Sequence, residues 1–318
     1  MPVNRNSRTL TVRCGAATLI LLFALFASSS PADKTRKVSA NGMSFAYVDE
    51  GSGTPIILVH GSVSDYREWS KQMAPFARHY RVIAISRRYH WPNSPPGNEA
   101  DASVESQADD LAAIIQALGI APTHLVGHSY GGAIAINLTL RHPELVRTLV
   151  LAEPAIAGVL EGVPDNDALS KESQALRTEM KQAFARGDTE RIVQTYARHV
   201  APGELEKASR AIREMLVANV PAFQLDFNAR RPPVTCELVK RITVPVLVVS
   251  GDRSPNGLRR IAEESARCMQ ARLVKIPEAT HWMQHDHARV FNDAVLEFLA
   301  GSGKMIETHR NKTVMGDE

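Results

Sequence analysis

The sequence has few aromatic residues and no block of charges of one sign. Aromatic residues make up 6% of the 318 residues, and 37 Lys and Arg stand against 34 Asp and Glu. The basic residues are dispersed, which argues against nucleic-acid binding, because such proteins gather their Lys and Arg on one face. A hydrophobic content of 44% and a charged content of 22% exclude a disordered or fibrous chain.

The sequence also lacks an apolar run that comfortably spans a bilayer. The apolar segment 16–27 is shorter than the roughly 20 residues that a spanning helix needs. Arg5, Arg8 and Arg13 precede it and small residues follow it, which is typical of a secretory signal. We therefore predict a signal peptide at 1–32 and an exported protein, periplasmic or secreted. The alternative is that this segment stays uncleaved and anchors the protein to a membrane, as its only contact with one.

Cysteine is scarce as well, with three residues in the whole chain. Cys14 lies in the predicted signal, which leaves Cys236 and Cys268 in the mature protein. An even pair in an oxidising compartment is compatible with a disulfide. Two free buried thiols are the alternative, and the sequence leaves both open.

What the sequence does contain is a regular alternation of strand-like and helix-like segments. Asn41-Gly42 between two short alternating runs predicts a β-hairpin. Continuous apolar runs, typical of buried strands, then alternate with segments of helical spacing. The apolar runs are 56–59, 82–85, 124–127, 149–152, 244–250 and 272–276, and the helical segments are 66–79, 103–118, 130–141 and 290–299. This order predicts an α/β fold with a parallel sheet covered on both faces.

The alternation stops between residues 155 and 240. This stretch has no strong strand pattern and contains helical pieces at 167–186, 189–200 and 204–219, separated by prolines. We interpret it as a helical cap inserted between two parts of one core, 33–154 and 241–300. The polar residues 301–318 are predicted to form a flexible tail.

One motif carries a recognisable chemistry. Gly127-His128-Ser129-Tyr130-Gly131 fits G-x-S-x-G and lies between an apolar strand and an amphipathic helix. In that setting Ser129 sits on a tight turn that lifts its hydroxyl above the sheet, at a helix N-terminus that favours negative charge. Ser129 is therefore a candidate nucleophile. The alternative is a plain glycine-rich turn from strand to helix.

From the hairpin to about Leu299 the chain resembles the α/β-hydrolase superfamily. The matching pieces are the strand end Leu58-Val59-His60-Gly61, the turn at Ser129 and Ala279-Thr280-His281 after the last predicted strand. The resemblance implies an eight-stranded, mostly parallel sheet with helices on both faces and a cap after the sixth strand. The insertion at 155–240 falls at that position.

The resemblance also assigns roles to residues around Ser129. His281 would be the general base, and the N–H groups of Ser62 and Tyr130 would form the oxyanion hole. His60 is expected to be structural, held by backbone hydrogen bonds.

His285 and His287 are expected on the surface. The spacing of His281 and His285 is that of a metal pair, but Trp282 stands where the HExxH motif needs Glu. We therefore expect neither a metal nor a cofactor.

The acid of the triad is open in the sequence. Most members of the superfamily carry it in a G-x-x-D pattern, but here Ser254 stands at that position after Gly251. Glu153 and Asp252 are the candidates. We favour Glu153, because a carboxylate that directly follows four apolar residues needs a partner, and a histidine N–H would supply one.

The loop at 86–92 is a second departure from the superfamily, with bulky side chains in place of an acidic, glycine-rich turn. Tyr89, His90 and Trp91 could line the mouth of a pocket or simply pack within the loop. The sequence gives no preference between the two.

Together these features predict a serine hydrolase that cleaves a small or medium carboxylic ester or lactone through an acyl-enzyme. The expected partner is a small-molecule substrate, with no nucleic acid. A hydrolase of C–C bonds with the same triad is one alternative. A non-catalytic ligand-binding protein of the same fold is another.

Overall fold

The computed structural model describes residues 35–95, 102–164, 166–229 and 233–314, together with Met1 and Arg231. Apart from Met1, the predicted signal peptide lies outside the described residues.

The described chain opens with the predicted hairpin. Strands β1 (Arg36–Ala40) and β2 (Met43–Gly51) pair antiparallel. Asn41 and Gly42 make the turn with φ of 43° and 73°. Positive φ at both central residues is what a two-residue hairpin turn of type I′ requires, and Asn-Gly is its preferred sequence.

The hairpin is one edge of an eight-stranded sheet, which confirms the predicted fold class. Its other strands are β3 (Pro55–Val59), β4 (Arg81–Ile85), β5 (Thr123–His128), β6 (Val146–Ala152), β7 (Val246–Gly251) and β8 (Arg272–Ile276). The order across the sheet is β1-β2-β4-β3-β5-β6-β7-β8, and β3 to β8 run parallel. The carboxyl ends of the parallel strands therefore meet at one edge, where α/β proteins build their sites.

Helices cover both faces of the sheet. Their bounds are α1 (Ser70–Ala77), α2 (Val104–Ala117), α3 (Tyr130–Arg141), α10 (Asn256–Met269), α11 (Met283–Asp286) and α12 (Ala288–Val314). Apolar side chains of α2, α3 and α10 form the core on one face, and those of α1 and α12 form the core on the other. No helix among the described residues is long and apolar enough to cross a membrane.

Between β6 and β7 the described residues form no strand, and helices joined by turns make up most of the segment. Its helices are α4 (Asn166–Arg186), α5 (Thr189–Val200), α6 (Glu204–Lys207), α7 (Arg210–Ala218), α8 (Val220–Asn228) and α9 (Cys236–Val239). We call α4 to α8 the cap helices. They share an apolar cluster of their own, which includes Tyr196, Phe223 and Phe227 and reaches Val63 and Trp282 of the sheet side.

Cys236 and Cys268 form a disulfide, with their Cα atoms 5.3 Å apart. The bridge joins the start of α9 to the end of α10. It therefore ties the end of the inserted segment to a helix that packs on the sheet.

Candidate active site

Ser129 occupies the tight turn that its motif predicts. It lies between β5 and α3 with φ of 51° and ψ of −115°, a conformation that side-chain-bearing residues rarely adopt. Its N–H donates to the carbonyl oxygen of Ala152, 2.9 Å away, at the end of the neighbouring strand. Such backbone strain is held only where the surroundings fix it, and it clusters at functional sites.

The glycines around Ser129 are required by space. A Cβ on Gly127 would lie 2.7 Å from the carbonyl oxygen of Gly131, and one on Gly132 would lie 2.9 Å from the Cβ of Pro154. A Cβ on Gly131 would run into the backbone oxygen of Val59. The turn is therefore packed too closely against its neighbours for any side chain at these positions.

The structure brings His281 and Glu153 into direct contact. Nδ1 of His281 lies 2.6 Å from Oε2 of Glu153, and both side chains are buried. A carboxylate can only accept a hydrogen bond, so Nδ1 carries the proton. In the neutral ring this leaves Nε2 with a free lone pair, which is the form that a general base needs.

Both carboxylate oxygens of Glu153 accept hydrogen bonds. Oε1 accepts hydrogen bonds from the Ser250 hydroxyl at 2.7 Å and from the Gly251 N–H at 2.9 Å. Burial alone would raise the pKa of Glu153, but the hydrogen bond and charge of His281, with help from Ser250 and Ser254, keep it below its ordinary value. Glu153 is therefore an ionised carboxylate that holds the His281 ring in one orientation.

The second candidate acid has a different position. Asp252 is exposed at the end of β7, whereas Ser254 is buried. The carboxylate that contacts His281 is that of Glu153, from the end of β6. The usual acid position on β7 therefore carries a hydroxyl, and the carboxylate comes from the adjacent strand.

His281 is held as a neutral ring by its surroundings. Burial lowers the pKa of His281, and the charge of His128 lowers it further, while Glu153 opposes both. The net shift is downward from 6.5. At neutral pH the ring is therefore ready to accept a proton.

Ser62 and Tyr130 are the residues expected to form an oxyanion hole. Tyr130 directly follows Ser129, and Gly61, before Ser62, lies against Ser129, since a Cβ on Gly61 would lie 3.4 Å from the Ser129 Cβ. Ser62 follows the Gly61 turn after β3, and Tyr130 is the first residue of α3. The first N–H groups of a helix have no partner within it, so that of Tyr130 is free of helical bonding. Ser62 lines a cavity of about 20 Å³ with Gly61 and the cap residue Tyr196. This is room for about one water molecule.

His60 is structural, as expected. Its Nδ1 lies 2.8 Å from the Gly61 carbonyl oxygen, and its Nε2 accepts the Arg87 N–H at 3.0 Å. Burial and the positive charge of Arg87 lower the pKa of His60 well below 6.5, so the ring is neutral. It joins the loop after β3 to the loop after β4.

In the loop at 86–92, His90 and Trp91 pack against other residues. His90 is buried, with Nδ1 2.7 Å from the carbonyl oxygen of Ser64, while Trp91 stacks under the guanidinium of Arg67 on the surface. Neither His90 nor Trp91 lines the cavity beside Ser62.

The loop also carries a buried ion pair that the sequence did not suggest. Nη2 of Arg87 lies 2.7 Å from Oδ2 of Asp226 in α8, and Gln107 donates to the other oxygen of that carboxylate at 2.9 Å. The cap helices are thus fixed to the sheet by a charged contact.

Sequence reasoning missed two further residues of the site. His128, the variable residue before Ser129, lies 3.0 Å from Oε1 of Glu68, and its other nitrogen lies 2.9 Å from the carbonyl oxygen of His281. Its position inside the motif was a signal, although the motif accepts any residue there. Nothing local marks Glu68, which is 60 residues away in sequence.

The prediction that His285 and His287 lie on the surface is wrong. Both are half-buried, and His285 lines the same cavity as Ser62. Burial lowers the pKa of His285 to about 4. Among the residues that the structure describes, no group of three or more His, Cys, Asp or Glu side chains could hold a metal ion.

Comparisons with known proteins agree with this architecture. Residues 54–288 match the family model described as alpha/beta hydrolase fold. The mouse (Mus musculus) sn-1-specific diacylglycerol lipase ABHD11 is 29% identical over 81% of this chain and 85% of its own.

Two solved structures share the fold. A thermophilic esterase from Thermogutta terrifontis is 22% identical with a TM-score of 0.70, over 84% of this chain and 98% of its own. The enol-lactonase from Burkholderia xenovorans LB400 is also 22% identical, with a TM-score of 0.65, over 83% of this chain and all of its own. The protein is therefore a hydrolase that belongs to the α/β-hydrolase fold family.

Proposed function

We propose that this hydrolase cleaves a small or medium carboxylic ester or lactone through a covalent acyl-enzyme on Ser129. The observation that carries the proposal is the buried contact of 2.6 Å between Nδ1 of His281 and Oε2 of Glu153. This pair stands at the sheet edge where the strained Ser129 turn also ends, because Ser129 N–H binds the residue before Glu153. A serine, a histidine and an acid in these roles are the parts of a serine hydrolase.

The proposed reaction has two halves. Oγ of Ser129 attacks the substrate carbonyl carbon while Nε2 of His281 takes the hydroxyl proton. That proton then passes to the leaving alcohol oxygen as its bond to the carbonyl carbon breaks, which leaves an acyl group on Ser129. Water attacks the acyl carbon and gives a proton to His281, and the acid product leaves as the proton returns to Ser129.

Three groups of the protein stabilise charge during these steps. Glu153 remains ionised and stabilises the positive charge that appears on His281. The N–H groups of Ser62 and Tyr130 are assigned to the negative charge on the substrate oxygen. Removal of one such donor commonly costs about 3 kcal/mol of the barrier.

The space around the site favours a substrate with an apolar part. A cleft of about 400 Å³ lies outside the small cavity and shares Ile212, Met215 and His285 with it. Val48, Tyr66, Met73 and the cap residue Ala211 contribute to its lining. Binding pockets for small molecules begin at roughly 300 Å³, so the cleft has room for an acyl or alcohol group that the cavity cannot hold.

The relatives support a carbonyl substrate in general terms. Their names describe a lipase, an esterase and a lactonase, three activities on esters or lactones. The hydrogen bond from neutral His281 to the ionised Glu153 also favours an enzyme over a ligand-binding protein, because a binding protein gains nothing from a base held in one tautomer.

Turnover of a panel of p-nitrophenyl esters of different acyl length tests the proposal. Wild-type protein should hydrolyse the short or medium members and should react with a fluorophosphonate probe at Ser129. The Ser129→Ala variant should lose both properties while remaining folded. Ester turnover that survives in Ser129→Ala would overturn the proposal. Cleavage of a diketone-like substrate with no ester turnover would favour the C–C bond hydrolase instead.

We also propose that the mature protein acts outside the cytosol. The disulfide between Cys236 and Cys268 supports this, because such bonds persist in oxidising compartments. Fractionation of cells that express the full chain tests the proposal, and recovery of the protein only in the cytosol with both thiols free would contradict it.

A further inference from the structure

His128 makes two hydrogen bonds that together define its charge. Nε2 lies 2.9 Å from the carbonyl oxygen of His281, and Nδ1 lies 3.0 Å from Oε1 of Glu68. A carbonyl and a carboxylate can only accept, so both ring nitrogens must donate. A histidine that donates from both nitrogens is an imidazolium. Nε2 of the Gln284 carboxamide is placed 3.1 Å from Nδ1, while its Oε1 is buried without a hydrogen-bond partner. Rotation of the carboxamide by 180° exchanges the two atoms and gives Oε1 the Nδ1 proton to accept, so we assign that orientation.

The pair joins three segments of the candidate site. His128 directly precedes Ser129, and its ring holds the backbone of His281. Oε2 of Glu68 accepts the N–H of Gly61 at 3.2 Å, directly before Ser62. The Gly61 turn also packs on the ring, since a Cβ on Gly61 would lie 2.9 Å from Nδ1 of His128. The segments that carry the nucleophile, the base and the expected oxyanion hole thus all contact the same ion pair.

The pair is buried, and it lies against the base. His128 and Glu68 are 2% and 4% exposed, and the His128 ring centroid is 4.5 Å from that of His281. Burial of two charges is costly, and a purely structural contact would be served as well by apolar side chains. A positive charge at this distance acts directly on the protonation of His281.

We infer that His128 is a positioning residue of the hydrolase reaction proposed above, on which this inference rests. Paired with Glu68, it fixes the His281 backbone, and its positive charge keeps the His281 ring neutral and able to take the Ser129 proton. The protein thereby carries two histidine–carboxylate pairs with different tasks. Glu153–His281 moves the proton, and Glu68–His128 sets the pH above which it can move.

The other titratable groups around the two rings act more weakly or from farther away. Burial opposes a charge on His128, but Glu68, with the His281 carbonyl and Glu153, raises the pKa of His128 overall. On His281, the charge of His128 acts more strongly than that of Glu68. The remaining neighbours that face the pair are His60, Tyr196 and His285, with Lys71 and Asp286 beside His285.

The Glu68→Gln variant tests the inference, because it keeps the shape of the side chain and removes the charge that protonates His128. Both charges are then lost, and the nearer one, on His128, dominates. His281 should hold its proton to higher pH, so the acidic limb of the kcat/KM profile should move upward by about one pH unit. The double variant Glu68→Gln/His128→Gln should move it equally.

His124→Gln is the matched control, since His124 is a buried histidine at the other end of β5 whose pKa burial lowers to about 4. It should leave the limb unchanged. An unchanged limb in both Glu68 variants would overturn the inference, and so would a uniform loss of kcat/KM without a shift, since that is the mark of a purely structural contact.

Nitrogen NMR of histidine-labelled protein separates this inference from the proposed function, because it needs no turnover. His128 should carry protons on both nitrogens at neutral pH in the wild type and on one in Glu68→Gln. A neutral His128 in the wild type would refute the inference even in an active esterase. Absence of ester turnover with a charged His128 would instead count against the proposed function.

Discussion

Oε2 of Glu153 lies 2.6 Å from Nδ1 of His281, across a separation of 128 residues in the sequence. The contact depends on the parallel sheet, which brings the ends of β6 and β8 to the same edge on either side of β7. Ser250 and Gly251 at the end of β7 bind the other carboxylate oxygen. The strand that usually supplies the acid here supplies the donors that hold it.

Glu153→Gln should reduce kcat for ester hydrolysis by roughly 10³- to 10⁴-fold, the loss seen when such an acid becomes an amide. The amide can present an N–H to Nδ1, which favours the wrong tautomer of His281 and leaves Nε2 protonated. Steady-state kinetics with a p-nitrophenyl ester measures the loss, and thermal unfolding checks that the variant is folded.

Asp252→Asn is the control for Glu153→Gln, because Asp252 is the exposed carboxylate next along the same edge. It should retain wild-type kcat. The assignment of the acid is wrong if the two results are reversed, with Asp252→Asn inactive and Glu153→Gln active.

The wild-type enzyme should remain active at mildly acidic pH. Burial and the charge of His128 lower the pKa of His281 below 6.5. The base works only when neutral, so kcat/KM should rise with pH through that pKa and reach half its maximum below pH 6.5. A profile of kcat/KM from pH 4 to 9 measures the midpoint, and a midpoint above 7 would contradict the buried, cationic surroundings described for His281.

Most of the core was predictable because its signals are local. Buried strands of a parallel sheet appear as continuous apolar runs, and each of the strands β3 to β8 coincides with such a run. Helix ends were harder. The predicted helix at 204–219 is broken between α6 and α7, and α12 continues to Val314 rather than ending near Leu299. Pro221 is one of the prolines expected to separate helices in this segment, but it stands in the first turn of α8, where proline favours a helix start.

The residues of the candidate site also divide into those with a local signal in the sequence and those without one. Ser129 has a motif, and Glu153 was suggested by a carboxylate that ends an apolar run. Glu68 and Asp226 have no such signal, because each carboxylate is paired with a residue that is distant in the sequence. Glu68 pairs with His128, and Asp226 pairs with Arg87. Ion pairs between distant residues leave no periodicity or spacing in a single sequence.

Asp226→Asn should destabilise the protein by roughly 3 to 5 kcal/mol, because it leaves the buried Arg87 without its counter-charge. The charges of Arg87 and His90 outweigh burial and hold the pKa of Asp226 far below its usual range. The folded pKa is depressed, so this stabilisation is complete above about pH 4 and is lost as pH falls through the folded pKa. Chemical denaturation at pH 7 measures the change.

Asp109→Asn is the matched control for Asp226→Asn, since it breaks an ion pair with Arg141 in which both side chains are more than 40% exposed. It should cost at most about 1 kcal/mol. The double variant Arg87→Gln/Asp226→Asn should recover part of the loss, because no charge then remains unpaired. Equal costs for the two single variants would mean that the buried pair does not anchor the cap helices.

The disulfide should stabilise the protein without affecting turnover. It closes a segment with a sequence separation of 32 residues and joins α9 to α10, neither of which carries a residue of the candidate site. Loop-closure entropy for a segment of that length predicts a loss of about 3 to 4 kcal/mol in Cys236→Ser/Cys268→Ser. Thermal unfolding with and without a reductant measures it, and the reductant should lower Tm in the wild type only. Because neither cysteine contacts Ser129, His281 or Glu153 through a hydrogen bond or ion pair, kcat/KM at 25 °C should match the wild type. A large loss of kcat/KM in the folded variant would mean that the bridge also positions the cap helices over the site.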